Sequence, residues 1–203
     1  MLQLARKIFL FCSLAMFAVI AKAAPVTELL NKPNDPVAGN PHGAVTVVEF
    51  FDYQCSHCIS MAPVVAAIIQ ANPDVRFVFK ELPIRGPMSE LASRAALAAN
   101  KQGKYYPFSH ALLSSNQPIT EAFIFETAKK VGLNVSKLKK DMNSPAVANE
   151  LKSNFNLAAQ LQVSGTPAFF IAKTGTRNSN DVNFQLGEMS QGELQTAIDN
   201  AKK

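Results

Sequence analysis

Cys55-Ser56-His57-Cys58 is the one place in this 203-residue chain where two thiols stand close enough in sequence to act together. A C-x-x-C pair serves as a local structural bridge, as half of a metal site, or as a redox centre. A structural metal wants four ligands. The other imidazoles outside the motif, His42 and His110, lack ligand spacing and read as surface or loop residues. The redox reading depends on where the pair sits. At the start of a helix, unpaired backbone N–H groups and the positive end of the dipole favour a thiolate on the first cysteine. An ordinary cysteine with a pKa of about 8.5 is only about 3% ionised at pH 7, whereas one of about 3.5 is ionised almost fully. That difference is about 7 kcal/mol between the two protonation states. Such a shift would make Cys55 a good leaving group and a disulfide to Cys58 a strong oxidant. His57 can add positive charge and N–H donors near Cys55.

The order of elements puts the pair at such a junction. Val45-Thr-Val-Val-Glu-Phe-Phe51 is β-branched and aromatic, the pattern of a strand buried on both faces. From Cys58 to Ile69 the apolar positions fit a buried helix, with Pro63 expected to kink it. Val75–Phe79 is a second strand, so the unit is β-α-β with a parallel pair and a right-handed crossover. Residues 85–161 then read as an all-helical insertion. Its candidate helices are Ser89–Asn100, Tyr105–Leu113, Thr120–Val131, Ser136–Met142 and Pro145–Leu161. The run Lys137, Lys139, Lys140 reads as a solvated helix face. Strand character resumes at Pro167–Ile171 and again around Val182–Leu186. Ser190 and Glu193 have capping-box spacing for a last helix.

Residues 1–23 read as a cleaved signal peptide. Arg6 and Lys7 precede the apolar run Ile8–Ala21, and Ala21-Lys22-Ala23 places the cut between Ala23 and Ala24. The run is shorter than the roughly 20 residues a spanning helix needs. Its removal takes Arg6, Lys7, Lys22 and Cys12, leaving 17 basic against 15 acidic side chains, a net +2. That balance, with no basic stripe interleaved with aromatics, excludes a nucleic-acid partner. Residues 24–44 hold Pro25, Pro33, Pro36, Pro41, Gly39 and Gly43 and are expected to form an extended leader. With about twenty residues before the core there is no room for an N-terminal dimerisation domain, and a monomer is expected.

Phe50-Phe-Asp-Tyr-Gln-Cys-Ser-His-Cys58 and Val163-Ser-Gly-Thr-Pro-Ala-Phe-Phe170 together resemble the DsbA family of thioredoxin-fold thiol:disulfide oxidoreductases. The resemblance runs from Val45 to the end. It implies an α/β thioredoxin-like core of a central mixed sheet flanked by helices, contributed by residues 45–84 and 162–203 and interrupted by the helical insertion. It also implies a periplasmic location, disulfide transfer to newly exported reduced proteins, and re-oxidation by a DsbB-like membrane quinone reductase. No metal or other cofactor is called for. By the same resemblance Cys55 is the attacking cysteine that forms the mixed disulfide, Cys58 resolves it, and His57 tunes Cys55. Pro167 is a cis-proline opposite the pair with Thr166 before it, a place where an extended client can dock. Glu49 matches a buried acid beneath the site that relays protons for Cys58; as a plain strand residue it would instead be half exposed. Two positions depart from the family archetype: Ser56 stands where it has Pro, and Thr166 where it has Val. Both leave an isomerase or reductase open beside the oxidase. A non-catalytic exported interaction module of the same fold is the alternative from another class.

Overall fold

The computed structural model describes residues 25–115 and 117–203. The signal-peptide reading falls on residues 1–23, outside the described residues. Five strands form one mixed sheet in the order β1-β3-β2-β4-β5, where β1 is Val37–Gly39, β2 Val45–Phe51, β3 Val75–Glu81, β4 Ala168–Lys173 and β5 Asn183–Leu186. Only β2 and β3 are parallel, joined through helix α2 (Ser56–Ala71); the other neighbours are antiparallel. The strand rich in β-branched residues, β2, is therefore central and buried along its whole length.

Alternation along the strands divides the core in two. Val45, Val47 and Phe51 of β2 face one side with Val75, Phe77 and Phe79 of β3, against α2 and the C-terminal helix α8 (Gln191–Ala201). Val48 and Phe50 face the other side with Val78, Ala168 and Phe170, against Leu157 and Ala158. The latter two belong to α7 (Pro145–Gln160), the last of five helices between β3 and β4. Its companions are α3 (Pro87–Asn100), α4 (Tyr105–Leu113), α5 (Glu121–Lys130) and α6 (Val135–Asp141). Among the described residues no helix is long and apolar enough to cross a membrane.

One expectation needs correction. Residues 24–44 are not an extended leader throughout. Residues 25–31 are helical (α1), and Val37–Gly39 adds an edge strand to β3. Val26, Leu29 and Leu30 make the reason plain: spaced three and four apart, they bury a stripe against the second core. Pro33, Pro36 and Pro41 all lie beyond this turn of helix. Gly43 then crosses the backbone of residues 74–76 so closely that a Cβ would sit 2.6 Å from Asp74 O and Arg76 N. Helix α2 runs from Ser56 to Ala71 as one element with Pro63 inside it, on the exposed face.

Adjacent residues of β3 carry opposite charges to opposite faces. Lys80 points into the second core, where its Nζ donates to Asp35 Oδ1 and Oδ2 at 2.9 and 2.7 Å and to Glu28 O at 3.2 Å. Both side chains are wholly buried. Burial pushes the Asp35 carboxyl up to about 6 in spite of the lysine, and pushes the Lys80 ammonium down. The pair ties the N-terminal segment to the sheet. Lys80→Ala, which leaves Asp35 buried and alone, is expected to cost about 3–5 kcal/mol in urea unfolding. Replacing both residues together by Met and Leu should recover most of that loss.

Candidate active site

The chain leaves β2 at Phe51 and must turn sharply to start α2. Asp52, wholly buried, organises the turn. Its Oδ1 accepts from the Gln54 N–H at 2.7 Å and the Ser89 hydroxyl at 2.7 Å. Its Oδ2 accepts from the backbone N–H groups of Ile84 and Arg85 at 2.8 and 2.9 Å. Four donors from three segments thus converge on one carboxyl group. Gln54 adds bonds to Ser89 Oγ at 2.8 Å and Arg85 O at 3.1 Å.

Cys55 follows as the N-cap residue of α2, in extended conformation and without a regular side-chain capping bond. Cys58 lies one turn on, and both are free thiols, 0% and 1% exposed. The Cys55 Sγ donates to Thr166 O at 3.2 Å, and Arg85 Nη2 lies 3.6 Å from the same sulfur. Burial alone would push the Cys55 thiol up. The Thr166 hydroxyl, the N–H and thiol of Cys58, and the Arg85 charge outweigh it and hold the thiol below its ordinary value. That hydroxyl is buried and has no hydrogen-bond partner among the described residues, so it is free to donate to an anionic sulfur. Cys58 goes the other way: burial and the neighbouring Glu49 raise it far above an ordinary thiol. The Thr166–Pro167 peptide bond is cis, and Pro167 O accepts from the Gly187 N–H at 2.8 Å. His57 is exposed and turned away, with Nδ1 2.8 Å from Glu188 Oε1.

Beneath the sulfurs lie two buried acids on one face of the sheet. Glu49 of β2 is 3% exposed, and its carboxyl makes no hydrogen bond among the described residues. Burial, reinforced by Glu81, pushes it up to about 8. Glu81 of β3 is 0% exposed and accepts from Tyr53 Oη (2.9 Å), Tyr105 Oη (2.6 Å) and Ser93 Oγ (2.7 Å). Burial still lifts it to about 7 against those three donors. At neutral pH the site therefore holds a proton on Glu49 next to the sulfur least able to give one up.

A family model for the DSBA-like thioredoxin domain matches residues 46–199. The chain belongs to that family. A thioredoxin-like oxidoreductase from Silicibacter pomeroyi is 40% identical with a TM-score of 0.79, over 87% of this chain and 96% of that one. Disulfide bond formation protein D of Bacillus subtilis is 28% identical over 78% of this chain and 77% of its own length. A Na(+)/H(+) antiporter NhaA 3 of Salinispora tropica is 28% identical over 74% of this chain, yet the chain spans only 23% of that protein. The match thus concerns one segment of a much longer antiporter.

In the DSBA-like chain, Cys55, Cys58, Thr166, Pro167 and Glu49 come together around one strand-to-helix junction, while His57 faces outward. Arg85, Asp52, Ser89 and Glu81 with its tyrosines were not singled out from the sequence. Asp52 carried a signal, since an Asp two residues before a turn's N–H is the pattern of an Asx turn. The others are joined to the site only by folding. The raised carboxyl of Glu49 has a measurable consequence for stability. Between about pH 4.5 and 8 the folded chain keeps a proton that the unfolded chain releases, so stability falls as pH rises through that window. Glu49→Gln should flatten the slope in urea unfolding and gain about 4 kcal/mol over the parent at pH 8, with little difference near pH 4.5.

Proposed function

We propose that this chain is an exported oxidoreductase that introduces disulfides into newly exported proteins through a Cys55–Cys58 redox pair. The observation that carries the reading is the asymmetry of the two sulfurs: Cys55 is held below the ordinary thiol range and Cys58 far above it. A client thiolate attacks Cys55 Sγ of the oxidised pair, and the S–S bond breaks with its electron pair passing to Cys58. Glu49, protonated at neutral pH, supplies the proton that Cys58 demands. A second client thiolate then attacks the client sulfur of the mixed disulfide, and Cys55 leaves as a thiolate. The client dithiol has lost two electrons and two protons; the pair gains both electrons and one proton, on Cys58, the client protons pass to solvent, and solvent re-protonates Glu49. Thr166 and Pro167 border Cys55 where an extended client segment would dock.

A DsbB-like membrane quinone reductase would remove the electrons, and the chain would work as a monomer in the periplasm after cleavage between Ala23 and Ala24. N-terminal sequencing of the exported protein should accordingly begin at Ala24. Thr166 before Pro167 supports a second reading, an isomerase or reductase kept in the dithiol form, since Thr is the residue those relatives carry there.

Equilibration with glutathione buffers separates the two. A potential of about −120 mV, the strong-oxidant value of the family archetype, is expected for a disulfide donor, and one of about −200 mV or lower for an isomerase or reductase. Cys58→Ser should accumulate mixed disulfides with clients that already carry a disulfide, Cys55 attacking one sulfur while the other leaves as a thiolate, and Cys55→Ser should abolish exchange. If the parent shows no exchange and Cys55→Ser still binds the client, the chain is a binding module instead.

A further inference from the structure

Arg85 occupies an unusual position for an exposed arginine. Its backbone is held from both sides, the N–H on Asp52 Oδ2 at 2.9 Å and the carbonyl by Gln54 Nε2 at 3.1 Å. Immediately after it the chain reverses at Gly86, whose φ of +101° is a conformation side chains rarely adopt, and enters α3. The residue is thus pinned between a clamp and a turn, so only its side-chain torsions remain free. Those torsions bring Nη2 to 3.6 Å from Cys55 Sγ. Among the described residues the guanidinium has no carboxylate partner that would neutralise it.

His57 is the residue that sequence position puts closest to the pair. It has a different commitment, with Nδ1 on Glu188 Oε1 at 2.8 Å on the exposed side of the helix start. It makes no hydrogen bond to either sulfur among the described residues. The interior side of Cys55 is occupied by Thr166 O, which is an acceptor and favours the thiol, and by Cys58. Glu49 and Glu81 lie beneath, and of these Glu49 bears on Cys58. Arg85 is therefore the one cation in contact with the sulfur among the described residues.

We propose that Arg85 is the catalytic cation that stabilises the Cys55 thiolate, and that Asp52 and Gln54 position it for that purpose. When the second client thiolate attacks the client sulfur of the mixed disulfide, the bond to Cys55 breaks and its electron pair stays on Sγ. Arg85 takes up that negative charge through a charge-assisted N–H···S contact, with no proton transfer. The same contact serves Cys55 as attacking anion in the reverse direction. Arg85 thus acts whether the chain oxidises or reduces its clients. The anionic form is also the reduced form, so the guanidinium raises the reduction potential of the pair.

The inference rests on Cys55 being the attacking cysteine, and the test reads the two separately. In reduced protein carrying Cys58→Ser, the ultraviolet absorbance of the thiolate is followed against pH, so that Cys55 alone titrates below the tyrosines. The parent midpoint should lie below that of an ordinary thiol. Arg85→Ala should raise it by about one pH unit, and Arg85→Lys by clearly less. His57→Ala should move it by no more than a few tenths.

With both cysteines present, Arg85→Ala should shift the glutathione equilibrium up to about tenfold towards the disulfide, equivalent to about 30 mV. Arg85→Gln repeats the measurement with a neutral side chain of similar reach, in case the Ala variant folds poorly. A low parent midpoint that neither Arg85→Ala nor Arg85→Gln moves overturns the role of Arg85 and leaves the assignment of Cys55 standing. A parent midpoint at the ordinary thiol value overturns the assignment of Cys55 and the role of Arg85 with it.

Discussion

Everything at the site hangs from the buried carboxyl group of Asp52. Its four acceptor bonds reach the backbone after β2, two successive N–H groups after β3, and the hydroxyl of Ser89 in the first turn of α3. The first of these lies thirty or more residues of chain before the others, and the sheet alone brings them only into rough proximity. A buried acceptor with four donors is demanding, because each donor left unpaired costs about 1–3 kcal/mol. The turn before Cys55 and the loop bearing Arg85 therefore move as one unit. The start of α2, where Cys55 sits, inherits its geometry from a carboxyl group that bonds neither sulfur among the described residues.

Beneath this rigid junction the sheet separates charges by face. Lys80 and Glu81 are neighbours in sequence, yet one meets Asp35 in the second core and the other meets Tyr53, Tyr105 and Ser93 in the first. A slip of β3 by one residue would put the lysine under the sulfurs and the glutamate against Asp35. Each face would then bury a charge with the wrong partners. Polar residues in a strand so hydrophobic weaken the drive to fold, but they specify its register, as a uniformly apolar strand would not. The proton held on Glu49 depends on this choice. Its carboxyl is raised by burial and then by the negative neighbour Glu81, a neighbour that exists only in the correct register.

What could be read from the sequence was whatever is local or periodic. The β-branched run of β2, the apolar stripe of α2, Pro145 opening α7 and the Ser190–Glu193 box before α8 each announce themselves within a few residues. The parallel pairing of β2 with β3 followed from their order, and the mixed sheet with its helical flanks from the family resemblance. Helix α1 was missed because three prolines and two glycines between residues 33 and 43 dominate the segment, while its burying stripe is only Val26, Leu29 and Leu30. Edge strand β1 is three residues long, too short for alternation to register. At the site, Cys55 and Cys58 were visible as types in a pattern, and Glu49 only through the family resemblance. Arg85 was not, since nothing in Pro83-Ile-Arg-Gly-Pro87 tells that its guanidinium returns to a sulfur thirty positions earlier.

The two departures from the family archetype can be weighed in the same physical terms. Ser56, in place of a proline, keeps a backbone N–H at the first helical position of α2, one more donor at the positive end of the helix dipole. Thr166, in place of a valine, brings a buried hydroxyl without a partner that lowers both thiols, Cys55 and Cys58 alike. A reduction potential is set by how much better the site accommodates a reduced pair bearing negative charge than a neutral disulfide. An added donor of either kind favours the charged, reduced state. In the proposed redox pair both departures would favour the reduced state, as Arg85 would. Thr166 also favours Cys58 as an anion, which narrows the asymmetry between the sulfurs. Burial and Glu49 restore that asymmetry from below, so the strand that carries the acid acts on Cys58 and the loop that carries the arginine lies against Cys55.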